Sequence, residues 1–438
     1  MGPPSRLPVA SHLLWDKGGA AVDAAVQRFL AGDDVLLDRT LFPYDLRASR
    51  AHVAGLVRIG VLHPGEGAAL DEELARLDEL FRAGGFVLDD RFEDGHSAIE
   101  AHLGERLGEV GRRVHAGRSR NDQVLVALRL YERDALDRLA ELLRRSIAVL
   151  LQRAAELAAV PVPGYTHLQR AVPSSVGLWF AAFAEALLDD LELALGTRGG
   201  IDRSPLGTAA GYGVNLPLDR AGVARELGFA GVLWNPIYAQ NSRGKLELAL
   251  LGALAQPLLD LRRLAWDLSL YTTAEFAFVK LPDRYTTGSS IMPNKRNPDV
   301  VELLRAAYGV VAGASVEIAA TLGLPSGYHR DLQATKGPLL RAVEHGLGAL
   351  ALLPDLIAGL EFDQPRMRAA ISPDLYATDR AVELVRQGVP FRDAYRRVAA
   401  ALDELDGTPE ASLAARVSPG ATADLRLDEL AARLGALR

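Results

Sequence analysis

The chain is expected to be all-α, and three observations carry that expectation. Apolar residues recur at steps of three and four over unusually long stretches, which is the period of one helix face. The composition is rich in Ala, Leu, Arg and Glu, all good helix formers. Period-two alternation of the kind that marks strands is scarce along the whole chain.

Taken in order, residues 1–115 read as a domain of shorter helices that ends in a Gly-rich stretch, 104–117. Between Asn121 and Pro161, the residues Leu136, Leu139, Leu143, Ile147, Leu150, Ala154 and Leu157 make one continuous face. Asp122 lies at the start of this helix and Pro161 stops it. At ~1.5 Å per residue it would be on the order of 50 Å long. A second long helix is expected to begin at Ser174 or Ser175 and to run through Trp179, Phe183 and Leu187 to Gly196. A third runs from about Gln240 to Leu281, with Leu246, Leu250, Leu254, Leu258, Leu261, Leu264 and Leu268 on its face and Pro257 inside it, where it should kink. A fourth follows Asn297, which suits an N-cap, with Pro298 at the first helical position. The stretch 246–270 is apolar on more than one stripe, so it should be buried on several sides, as in a bundle. The organisation expected is therefore three domains: 1–115, a central long-helix bundle at 116–360, and a small helical domain at 361–438.

The 438 residues are ample for a large buried core. The chain contains no cysteine, which excludes disulfides, thiolate metal sites and cysteine nucleophiles. A net charge of −7 with acids and bases mixed gives no basic field for nucleic acid. No signal peptide and no uncharged apolar run long enough to span a membrane are evident. These features fit a cytoplasmic protein without nucleic-acid or membrane partners. His96 and His102 lack metal-ligand spacing, His167 stands alone, and no phosphate-binding glycine motif is present, so no metal or cofactor is expected.

Polar chemistry gathers in five segments. The richest is Gly288-Ser-Ser-Ile-Met-Pro-Asn-Lys-Arg-Asn-Pro298. It joins two hydroxyls, two cations and an amide in one loop that leads into a helix start. Such a loop can hold an anion, and either Ser289 or Ser290 beside a cation is a possible base. Taken by itself it also fits a Gly/Ser surface loop ahead of a capped helix. His115-Ala-Gly-Arg-Ser-Arg-Asn-Asp-Gln123 concentrates cations at the start of the longest helix, a second carboxylate site or a capped helix with solvated arginines. Asp94-Gly-His-Ser-Ala-Ile-Glu100 reads by itself as a capped helix start. Pro163-Gly-Tyr-Thr-His-Leu-Gln-Arg170 offers His167, either a proton carrier near neutral pH or a structural hydrogen-bonder. Ser326-Gly-Tyr-His-Arg-Asp-Leu-Gln333, with Lys336 beyond, fits either a turn or a substrate loop.

Together these segments resemble the argininosuccinate lyase family of the fumarase/aspartase superfamily. The resemblance rests on the 288–298 loop, on 115–124 and 163–170, on Gly323–Gln333, and on Ala377-Thr-Asp379 and Gly388-Val-Pro-Phe391, so it covers nearly the whole chain. It implies an all-α, three-domain fold with a central bundle of long helices, homotetramers, and active sites assembled from three subunits. It also implies reversible cleavage of argininosuccinate to arginine and fumarate without a cofactor. By the same resemblance Ser289 is the general base, Lys295 and Asn297 stabilise the carbanion, and His167 with Glu302 protonates the leaving guanidine. His96, Ser97, Arg120, Asn121, Thr166, Arg243, Ser290, Met292, Tyr328, Gln333 and Lys336 fall at substrate-binding positions.

The chain departs from the family pattern in places. Leu14-Trp-Asp-Lys-Gly-Gly19 stands where many members have a Trp-Gly-Gly-Arg-Phe segment. The substrate serine often found after it has no clear counterpart near Gly32–Asp33. Ala116 replaces a common threonine, and Gly244-Lys245 follows Arg243 in place of an acidic-aromatic pair. These changes fall on the arginine side of the site. They leave room for a paralogue that releases fumarate from another N-substituted aspartate. Adenylosuccinate lyase fits the Arg118–Gln123 run less well. A non-catalytic protein on the same scaffold, of the δ-crystallin kind, would be expected to have lost the chemistry residues, and Ser289, Lys295, Asn297, His167 and Glu302 are all present.

Overall fold

The structure, a computed structural model, describes residues 26, 29–30, 32–89 and 91–437. The departure at 14–19 lies outside them. The chain forms two compact units. The first comprises Met1–Asp137, Gly196–Gly252 and Ala312–Glu344, and the second Arg138–Leu195, Ala253–Val311 and His345–Arg438.

In the first unit, α1 (Asp34–Arg58), α2 (Pro64–Arg82) and α3 (Gly95–Leu107) pack around Phe42, Leu46, Leu56, Leu70, Leu74, Leu77 and Leu103, all buried. Local chemistry fixes where these helices begin. His63 and Glu66 form a capping box ahead of α2, with Pro64 in its first turn, and Asp94 and Ser97 form another ahead of α3.

The long helices follow the expected faces closely. α4 is Arg120–Glu156, and Leu136, Leu139, Leu143, Ile147, Leu150 and Ala154 are all buried along it. Full burial of one such aliphatic side chain is worth about 1.5–3 kcal/mol, so the periodic stripe determines how this helix lies. α5 is Val176–Ile201, and Ser175 Oγ accepts the Leu178 N–H at 3.1 Å as its cap. α6 is Lys245–Tyr271, with Leu250, Leu254, Leu258, Leu261, Leu264 and Leu268 buried and Pro257 inside. α7 is Asp299–Thr321 and α8 is Lys336–Ala351.

Three sequence expectations need correction. The third helix does not run unbroken from Gln240 to Leu281. A short helix, Pro236–Asn241, precedes α6, and Gly244 breaks the two apart at φ 80°. A Cβ at Gly244 would lie 2.2 Å from the Leu322 side chain, so only glycine fits there. Past Tyr271 the chain leaves the helix, and Val279–Lys280 pairs with Glu361–Phe362. Second, α7 starts at Asp299, with its first turn closed by Glu302 N–H to Pro298 O. Asn297 pairs across the ladder with Thr287 and so does not cap the helix. Third, the polar segment 163–170 is a β-hairpin. β1 (Pro161–Thr166) and β2 (Gln169–Ser175) pair antiparallel, and Thr166 faces Gln169 across the tip. Its two turn residues, His167 and Leu168, both have positive φ, at 54° and 59°. That is the twist a two-residue hairpin needs, usually supplied by Asn-Gly, which is why His-Leu gave no turn signal.

Candidate active site

In the first unit, five stretches of chain converge on a cavity of about 190 Å³. α1 contributes Asp34, the N-terminus of α3 contributes Asp94 and His96, and Glu93 precedes them. The start of α4 brings Arg120, Asn121 and Val124. The break at Gly244 brings Arg243, and the segment 328–336 brings Tyr328, Arg330, Gln333 and Lys336. Seven residues assigned to substrate binding from the sequence therefore share one wall: His96, Arg120, Asn121, Arg243, Tyr328, Gln333 and Lys336. Ser97 is engaged instead in capping α3, where its N–H donates to Asp94 Oδ1 at 2.7 Å and its hydroxyl bonds the Asp94 backbone.

The lining is charged and densely paired. Arg120 lies 2.9 Å from a Glu93 oxygen and 3.3 Å from Asp94. Lys336 is buried with its Nζ between Asp34 at 2.7 Å and Asp38 at 2.6 Å. Burial alone would lower the Lys336 pKa, but the two carboxylates raise it, so its ammonium persists. Asp34 moves up because burial outweighs its attraction to Lys336. Burial also pushes Asp94 up, but His96, Arg120 and the Ser97 hydrogen bonds outweigh it and leave Asp94 below its ordinary value. His96 Nδ1 donates to Asp45 Oδ2 at 2.5 Å. Burial would favour the neutral ring, yet Asp45, Asp94 and Asp38 raise His96 to about 9, so it is an imidazolium near neutral pH. A cavity with fixed cations and carboxylates side by side is suited to a ligand that carries both signs of charge.

The sequence reading missed Asp34, Asp38 and Asp45. They lie on one face of α1 at steps of four and seven, and Asp38 and Asp45 are buried. An acidic stripe on an otherwise apolar helix face was the available signal.

The second unit holds the 288–298 loop and the hairpin. The loop is closed at its base by two pairs, Thr287 with Asn297 and Gly288 with Arg296. The Thr287 hydroxyl bonds the Asp299 carboxylate, and Arg296 pairs with Asp283. Gly288 is extended in this pairing, and a Cβ there would meet nothing within 4 Å. Ser289 Oγ accepts the N–H groups of Met292 at 3.0 Å and Ile291 at 3.3 Å. Two donors aimed at one hydroxyl oxygen favour its alkoxide, which is what a serine base requires. Ser290, Met292 and Lys295 are exposed at the tip, and Glu302, also exposed, lies 3.6 Å from Arg305. Thr166 and His167 are exposed at the end of the hairpin.

Comparison with known proteins places the chain in a family. A family model described as Lyase matches residues 22–313. An argininosuccinate lyase of Xanthomonas campestris pv. campestris (strain B100) is 60% identical over 98% of this chain and the whole of the relative. One from Stenotrophomonas maltophilia (strain R551-3) is 59% identical over the same shares. Among solved structures, EDDS lyase in complex with formate superposes with a TM-score of 0.79 at 26% identity, covering 96% of this chain and 92% of that one. A class II fumarase from Schistosoma mansoni, at 18% identity and a TM-score of 0.67 over 85% of this chain and 90% of that one, shares the fold. With full-length identity at this level, the chain belongs to the argininosuccinate lyase family of the lyases.

Proposed function

We propose that this chain cleaves argininosuccinate reversibly to L-arginine and fumarate by β-elimination. The observation that carries the reading is the convergence of Arg120, Asn121, Arg243, Tyr328, Gln333 and Lys336 on one charged cavity. Argininosuccinate carries several carboxylates, an ammonium and a guanidinium, and both signs of charge line that cavity.

The β-proton of the succinyl portion lies next to a carboxylate and is weakly acidic. Ser289 Oγ removes it, and the electron pair moves into the carboxylate to give an aci-carboxylate with two negative charges. Lys295 and Asn297 stabilise that species. The C–N bond then breaks, fumarate forms, and the departing guanidine takes a proton from the acid pair, His167 and Glu302. Within one chain Glu302 faces Arg305, so its pairing with His167 belongs to the proposed assembled site.

The assembly proposed is a homotetramer with three domains, 1–115, 116–360 and 361–438, in the cytoplasm. Two features support shared sites. The loop residues Ser290, Met292 and Lys295 are open to solvent in the single chain, whereas elimination through a carbanion works best with water excluded. α7 is long and strongly apolar, yet Leu303 and Val316 on it are 67% and 69% exposed. Packing against other copies would cover such a face.

The test is direct. Purified protein is given argininosuccinate, and fumarate is followed by its ultraviolet absorbance with arginine assayed in parallel. Equal formation of both products is expected. A folded tetramer that forms neither refutes the reading and favours a paralogue acting on another N-substituted aspartate, to be sought by offering fumarate with a panel of amines.

A further inference from the structure

Arg243 sits on the cavity wall with little side-chain anchor of its own. It is 4% exposed, its buried Nε meets no acceptor, and among the described residues its guanidinium forms no ion pair. The two acids whose charges reach it are held by other cations: Asp34 by Lys336 at 2.7 Å, and Glu132, buried on α4, by Arg129 at 2.7 Å. The direction of Arg243 is therefore set by its backbone. Its own N–H donates to Gln240 O at 3.1 Å. The next N–H, that of Gly244, belongs to the peptide that fixes Arg243 ψ, and it donates to Glu247 Oε2 at 2.6 Å. Glu247 is buried in the first turn of α6 and does not line the cavity. Without a Cβ, Gly244 leaves the peptide behind Arg243 wide freedom to turn, and a buried carboxylate on its N–H removes that freedom. With Gly244-Lys245 after Arg243, Glu247 is the nearest carboxylate along the chain.

We propose that Glu247 is a positioning residue for substrate binding: by holding the Arg243–Gly244 peptide it aims the Arg243 guanidinium into the cavity, where it takes a substrate carboxylate. This rests on the proposed lyase reaction and adds to it a residue that never touches the substrate. A guanidinium aimed in advance loses little freedom when a carboxylate arrives. Once the grip is lost the peptide turns, and the guanidinium must be reordered for each substrate molecule, at the expense of binding more than of chemistry.

The experiment measures kcat and KM for argininosuccinate in wild-type protein, in Glu247→Ala, Glu247→Gln and Arg243→Gln, and in Glu247→Ala combined with Arg243→Gln. Glu247→Ala should raise KM roughly tenfold and change kcat by less than about threefold. Glutamine keeps an acceptor at the same reach, so Glu247→Gln should recover most of that loss. In the combined variant, Glu247→Ala should add less than about twofold to the KM of Arg243→Gln, because the residue it acts through is gone. An unchanged KM in Glu247→Ala overturns the proposal. So does a KM increase of equal size with and without Arg243, which would mark a merely structural role. Glu247→Asp, which keeps the carboxylate but draws it back by one methylene, gives the same reading with and without Arg243 where Glu247→Ala does not fold. Wild-type protein that releases no fumarate from argininosuccinate refutes the reaction itself, an outcome distinct from turnover that is indifferent to Glu247.

Discussion

Replacing Asp45 with asparagine should remove the charge that keeps His96 protonated, and the effect can be sized. Burial pushes His96 towards the neutral ring, but Asp45, through its charge and a 2.5 Å hydrogen bond, leads the opposing groups that raise it from 6.5 to about 9. A tenfold gain in proton affinity corresponds to about 1.4 kcal/mol, so the raised pKa is worth about 3 kcal/mol. The folded value lies above the unfolded one. The stabilisation is therefore complete below the unfolded pKa and is lost as pH rises through the folded pKa of about 9. Asp45→Asn should cost about 3 kcal/mol near pH 6, and the gap to wild type should narrow steadily towards about pH 9.5. Urea unfolding at several pH values measures this. Protein concentration must be held fixed, because the apparent stability of the proposed oligomer would depend on it. A gap that stays constant across the range would refute the claim that Asp45 holds a proton on His96.

Three further outcomes are expected. Ser289→Ala should lower turnover about 10²–10⁴-fold with the assembly intact, read by fumarate release and light scattering; full turnover would remove Ser289 from the mechanism. Burial, then Asp260 and Asp189, pushes Asp190 up to about 7, so the folded state is progressively penalised as pH rises from the ordinary carboxylate range towards that value. Asp190→Asn should therefore raise Tm by a few degrees above that pH and leave it unchanged in acid, and an equal change at both would sink the idea. Asp122 accepts the N–H groups of Ser119, Gly207 and Ala209 at 2.9, 3.0 and 2.9 Å, so Asp122→Ala strands three buried donors. It should cost about 3 kcal/mol or more in urea unfolding, with the midpoint lowered at unchanged slope, and a loss well below that would mean the loop reorganises around water.

The long helices were legible because a period of three to four repeats many times in each, and every buried leucine of α4 and α6 adds to the same signal. The polar segments stood out because hydroxyls, amides and cations crowd where a core needs none of them. Boundaries were harder. Gly244 and the His167-Leu168 turn depend on backbone conformations that residue type encodes weakly, and the exit from helix after Tyr271 depends on a strand partner at 361–362.

The sequence by itself determined the helical class, the faces of its longest helices and which short segments carry chemistry, because those properties repeat locally or rest on residue type. Tertiary structure alone decided which charges meet. Lys336 finds Asp38 at a separation of 298 residues, His96 finds Asp45 across 51, and Arg243 reaches the cavity through a break set by Leu322 packing on Gly244. Electrostatic partners act over a few ångströms of space, and no local pattern along the chain records which distant residue will arrive there.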